Sequence, residues 1–156
     1  MIEFFRHEAL NLVTAIAGFT EILERLSDSG QNGTQEPLRA QLAAIRNESS
    51  FFHTTLLSFR NECALVGISG SDFSRLPPDT DIALYLDDKC RERFFLLRSA
   101  ALKIHGLTGS TDRPDHEDGK FVQRLVMIHE SATGLVELFN RPVGYIQQAM
   151  RDHLSE

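Results

Sequence analysis

The chain has 156 residues, 42% hydrophobic and 24% charged, with a formal net charge of −6, a size and composition ordinary for one globular domain or two small helical units. The negative balance argues against nucleic acid as a partner, which calls for clustered lysine and arginine, and no apolar run approaches the roughly 20 residues that span a bilayer, so no membrane partner is expected. No secretory leader is visible, and Cys63 and Cys90 show neither metal-ligand nor redox spacing; reduced thiols and a cytoplasmic location are expected.

Residues 3–27 read as a first helix. Phe5, Ala9, Leu12, Ile16, Phe19, Leu23 and Leu26 alternate by four and three, the spacing of a bundle or coiled-coil seam. With these at positions d and a, His7 falls at f, farthest from the seam, and Asn11, Thr14, Ala15 and Gly18 continue its exposed strip. Ser27-Asp28-Ser29-Gly30 ends the helix and a polar loop follows. Pro37 suits the first turn of a second helix, in which Leu38, Leu42, Ile45, Ser49, Phe52, Leu56, Phe59, Cys63 and Val66 repeat the alternation. Two such helices joined by a short loop form an antiparallel hairpin. One hairpin cannot bury both its seam and the flanking Val13, Ile22, Phe51 and Leu57, whereas two can. A homodimer closed as a four-helix bundle is therefore expected.

The glycine, serine and proline of residues 68–80 read as a linker, followed by a small helical region over 81–156. Thr80 or Asp81 caps a third helix over about 81–105, with Ile82, Leu86, Cys90, Phe94, Leu97, Ala101 and Ile104 on one face. A fourth, over about 118–139, turns Phe121, Leu125, Ile128, Ala132, Leu135 and Phe139 inward. Pro142 breaks it, and Val143–Leu154 form a last short helix. Alternation over Ile104–Thr108 leaves room for one short strand. The fold class is all-α.

Residues 6–23, Arg-His-Glu-Ala-Leu-Asn-Leu-Val-Thr-Ala-Ile-Ala-Gly-Phe-Thr-Glu-Ile-Leu, resemble the H-box of the dimerisation and histidine-phosphotransfer domain of sensor histidine kinases. The matching elements are His-Glu-x-x-Asn, Thr-Ala-Ile-x-Gly-Phe and Glu-Ile-Leu, and the resemblance extends over about residues 1–67, for which it implies the dimeric hairpin. It also implies that His7 is the phosphoacceptor and that Glu8 orients and activates the imidazole. Asn11 takes the family position whose amide or hydroxyl places a water for dephosphorylating the response regulator. Leu12 departs from the pattern, since the family usually has a proline there that bends the helix; a straighter first helix is expected.

Residues 81–156 are too short for the family's ATP-binding sandwich. They hold no Asp-x-Gly-x-Gly and no Gly-x-Gly-x-Gly, and the 119–139 segment lacks the magnesium-binding asparagines of the family's asparagine-rich helix. The chain is thus similar to stand-alone bacterial histidine phosphotransferases with a degenerate remnant behind the hairpin, and no autonomous ATP-dependent kinase activity is expected. The first expectation is a phosphorelay protein. His7 takes a phosphoryl group from one receiver-domain aspartate and passes it to another, and Asn11 also suits a response-regulator phosphatase. Glu3, His7, Asn11, Thr14 and Gly18 would form the docking face, Gly18 admitting the receiver's backbone closely. The resemblance implies magnesium on the receiver, with no cofactor or metal on this chain. Two further roles fit the same residues: a non-catalytic module that antagonises a histidine kinase or sequesters a response regulator, and a fragment of a sensor kinase. Elsewhere, His53 and His129 read as structural or surface groups, and His105 sits where it meets a helix dipole. The acidic run Asp112, Asp115, His116, Glu117, Asp118 matches no metal loop. Phe51-Phe52 and Phe94-Phe95 read as packing.

Overall fold

The structure, a computed structural model, describes residues 2–29, 36–66, 77–86, 88–109, 119–141 and 143–154. Helix α1 spans Ile2–Ser29 and α2 spans Glu36–Val66. α1 passes through Leu12 without interruption, since no proline there removes a backbone donor. In α2 the predicted inward positions from Leu38 to Phe59 are all buried, while the side chains of Cys63 and Val66 lie outside the described residues. Three buried hydroxyls, Thr20, Ser49 and Thr55, donate to the carbonyls of Ile16, Ile45 and Phe51 one turn back, so none is left unpaired.

The buried face of α1 differs from the seam. Phe5, Ala9, Val13, Ile16, Thr20 and Leu23 are buried, Leu12 and Phe19 are partly buried, and Leu26 is exposed. α1 packs against α2 on one side and against a later helix on the other. The buried arc therefore centres between its two neighbours and follows the 3.6-residue period rather than a 3.5-residue seam. Leu12 turns toward that later helix, its Cδ2 3.2 Å from where a Cβ on Gly134 would stand.

The predicted third helix begins later than expected. Asp81 caps a 3₁₀ turn, Ile82–Tyr85, its carboxylate accepting the Ala83 N–H at 3.0 Å, and the chain re-extends at Leu86. Helix α3 then runs Asp88–Gly109. Ile82, Leu86, Cys90, Phe94, Leu97, Ala101 and Ile104 are nevertheless all buried, because turn and helix present one continuous apolar face. Ile104–Thr108, read as a possible strand, lies inside α3. Helix α4 spans Gly119–Asn140 and α5 spans Val143–Leu154; Pro142 and the acidic run 112–118 lie outside the described residues. The Gly144 N–H donates to the Pro78 carbonyl at 2.8 Å, fastening the start of α5 to the turn before α3.

α2 packs on α1 and α3, and α4 packs on α3 and α1, closing a ring of four helices around one core that runs from Phe5 to Phe139. Each large apolar side chain buried there contributes about 1.5–3 kcal/mol. The second helical pair, which the sequence reading looked for in another copy, comes from this same chain, so a homodimer is not needed to cover the hairpin's seam. No helix among the described residues is long and apolar enough to cross a membrane.

Candidate functional site

The first turns of α1 are held by aromatic packing. The Phe5 ring lies edge-on to Phe139 at 4.9 Å between centroids and contacts Phe94 at 5.7 Å and Phe59 at 6.4 Å. One side chain from each helix of the bundle thus meets at this end, with offset and edge-to-face geometries that favour aromatic pairs. Arg98 locks the same end. Its Nη2 donates to the Phe139 carbonyl at the C-terminal end of α4 at 2.9 Å, and its guanidinium stacks over Phe94 at 5.0 Å, a cation placed where the helix dipole favours one.

Two residues beyond Phe5, the helical turn carries His7 to the opposite face. His7, Asn11, Thr14 and Gly18 are all exposed and lie along one strip of α1, as helical phase places them, whereas Ala15, expected on the same strip, is partly buried. Glu3 lies in the first turn, its side chain outside the described residues. Glu8 is partly buried on the adjacent face, about 100° around the helix, and is not hydrogen-bonded to His7. His7, Glu8 and Asn11 have no hydrogen-bond or ion-pair partner among the described residues. The strip is a nucleophilic imidazole and an amide one turn apart, open to solvent on a rigid backbone.

Packing does not explain Gly18, as it does not explain Gly106 inside α3. A Cβ added there would meet nothing within 4 Å, and a mid-helix glycine costs roughly 0.5–1 kcal/mol relative to alanine. No neighbour among the described residues asks for Gly18. It leaves bare backbone in the middle of the strip that begins at His7.

Sequence reasoning missed one polar pair. The rings of His105 and His129 stack at 4.9 Å across α3 and α4. Thr108 donates to the His105 carbonyl at 2.8 Å, so its 3.0 Å contact to His129 has Nδ1–H donating to the hydroxyl. The two histidines are 24 positions apart, and only the antiparallel α3–α4 pairing brings them together. His53 is exposed, and no group of three His, Cys, Asp or Glu able to hold a metal occurs among the described residues.

No protein-family model matches the chain, and neither does any curated protein or solved structure.

Proposed function

We propose that this protein is a histidine phosphotransfer protein of two-component signalling, with His7 as the group that carries the phosphoryl. The observation that supports this reading is the exposure of His7, Asn11, Thr14 and Gly18 in a single strip, two residues from an aromatic anchor that fixes the helix carrying them. A phosphoryl donor on another protein can reach such an imidazole, whereas a histidine serving the core would be enclosed and hydrogen-bonded.

In the proposed step the unprotonated ring nitrogen of His7 attacks the phosphorus of a receiver's aspartyl phosphate. An N–P bond forms as the P–O bond to aspartate breaks, the aspartate leaves as a carboxylate, and the proton on the other ring nitrogen passes to water or to a nearby carboxylate. The reverse step loads the next receiver. Glu8, one residue on and partly buried, is the nearest acid in sequence and would act on the imidazole after a side-chain rotation. Magnesium is carried by the receiver in this scheme and offsets the phosphoryl charge there.

Labelled phosphoryl donors test the proposal. Wild type and His7→Gln are each incubated with a phosphorylated receiver domain and, separately, with ATP. Acid-labile label on wild type from the receiver alone, absent in His7→Gln, is the expected pattern. Label from ATP alone, or equal label on both proteins, contradicts it.

A further inference from the structure

His105 on α3 and His129 on α4 meet across the pairing of those two helices. Both are partly buried, with ring centres 4.9 Å apart and planes inclined by 30°. Thr108 gives its hydroxyl proton to the His105 carbonyl at 2.8 Å, so His129 Nδ1–H donates to that hydroxyl and Nε2 keeps an open lone pair. Neither ring nitrogen of His105 has a hydrogen-bond partner among the described residues, and neither does Nε2 of His129. Three of the four nitrogens in this pair are thus unpartnered, where polar groups between packed helices are ordinarily satisfied. Solvent reaches them, since the buried unpartnered side-chain atoms among the described residues are on Glu24 and Arg98.

We propose that His105 and His129 together bind one divalent transition-metal ion of the zinc, copper or nickel class. A metal–nitrogen bond measures about 2.0–2.1 Å, and the nitrogen lies about 1.15 Å from the centre of its ring. Two imidazoles that share an ion at angles of about 90–110° therefore have ring centres about 4.5–5.2 Å apart. The 4.9 Å between these rings falls inside that range. Their inclination is compatible with it, because rotation about each metal–nitrogen bond sets the ring planes. His129 is also held as ligating imidazoles commonly are, its second N–H donated to a fixed acceptor, here the Thr108 hydroxyl. His105 has both nitrogens available, so either completes the pair. Two neutral nitrogens without a carboxylate suit borderline ions and not magnesium or calcium, which take oxygen ligands. No group of three metal-ligating residues occurs among the described residues, so water fills the remaining positions. The net charge of −6 favours cations near the chain. A bound ion pins α3 to α4; it uses no α1 residue and stands apart from the phosphotransfer reading.

Calorimetric titration of the chelator-stripped full chain with Zn²⁺ tests the pair. Wild type is expected to take one ion at this site with a Kd on the order of 1–10 μM. Cu²⁺ should bind more tightly than Zn²⁺ or Ni²⁺, and Mn²⁺ weakest. His105→Phe and His129→Phe keep a ring in each place, and each is expected to weaken this binding about a hundredfold, because the second ligand acts intramolecularly. Thr108→Val, which removes only the hydroxyl that holds His129, should weaken it about tenfold. Proton NMR of wild type gives a readout that packing alone does not move: the carbon-bound ring protons of His105 and His129 should shift together and saturate at the same Zn²⁺ concentration. A wild type that binds no Zn²⁺ below about 1 mM, or binding unchanged in either phenylalanine variant, overturns the proposal. Shifts confined to one of the two rings, or to other histidines, overturn it as well.

Discussion

Phe5→Ala tests the link between the core and the exposed histidine. Phe5 is 2% exposed and its ring meets three others, the nearest at 4.9 Å. Removing a buried phenylalanine ring costs about 3–5 kcal/mol when the surroundings cannot collapse. Phe59, Phe94 and Phe139 are themselves buried, with Phe94 in contact with both others, so collapse is restricted and the upper half of that range is expected. With a urea m-value of about 2 kcal/mol/M, the unfolding midpoint should fall by about 2 M. Phe5→Leu, which keeps most of the volume, should cost on the order of 1 kcal/mol, and the exposed Phe51→Ala should stay within about 0.5 kcal/mol. The structure also predicts where the loss is felt first: amide exchange should accelerate in residues 2–12 beyond the global change, because α1 is released at its anchored end. A Phe5→Ala protein within about 0.5 kcal/mol of wild type, with an unchanged m-value, would refute the four-phenylalanine cluster.

Other substitutions probe separate parts of the account. Gly18→Ala should raise stability by about 0.5–1 kcal/mol in thermal unfolding while weakening receiver binding measured by calorimetry; equal binding would remove the docking role of the bare backbone. Gly144→Ala places a Cβ 2.7 Å from the Pro78 carbonyl oxygen, so either the turn or α5 must shift, and Tm should fall by about 2–4 °C. Arg98→Met strips the Phe139 carbonyl of its donor and should cost about 1–3 kcal/mol in denaturant unfolding, whereas Arg46→Ala, which removes a half-exposed pair with Glu24, should cost less than about 1 kcal/mol.

The helices were legible because apolar spacing depends on each helix needing one dry face. All seven inward positions from Ile82 to Ile104 follow from that, while the start of α5 at Val143 follows from the proline before it. The pattern does not say which surface covers that face. Val13 is buried and Leu12 turned toward Gly134 because α1 has two neighbours, a tertiary fact absent from its own sequence. For the same reason the partner of the first hairpin, expected in a second copy, is the chain's own α3 and α4. Thr20 reads as polar yet is buried, since its hydroxyl is satisfied by a carbonyl within its own helix. The exposed strip was legible because His7, Asn11, Thr14 and Gly18 need only helical phase to be placed together. The His105–His129 stack was not, because it depends on the register between two helices. In Phe51-Phe52 and Phe94-Phe95 the sequence marks packing but not its direction: Phe52 and Phe94 enter the core, and Phe51 and Phe95 face out.

The central claim is that a phosphoryl group rests on His7. Intact-mass analysis of the wild-type protein after incubation with a phosphorylated receiver, followed by peptide mapping at alkaline pH to preserve phosphohistidine, measures this directly. One added phosphoryl group on the peptide carrying His7 is the predicted result. An unmodified His7 peptide, or a phosphoryl group on any other residue, would contradict the account.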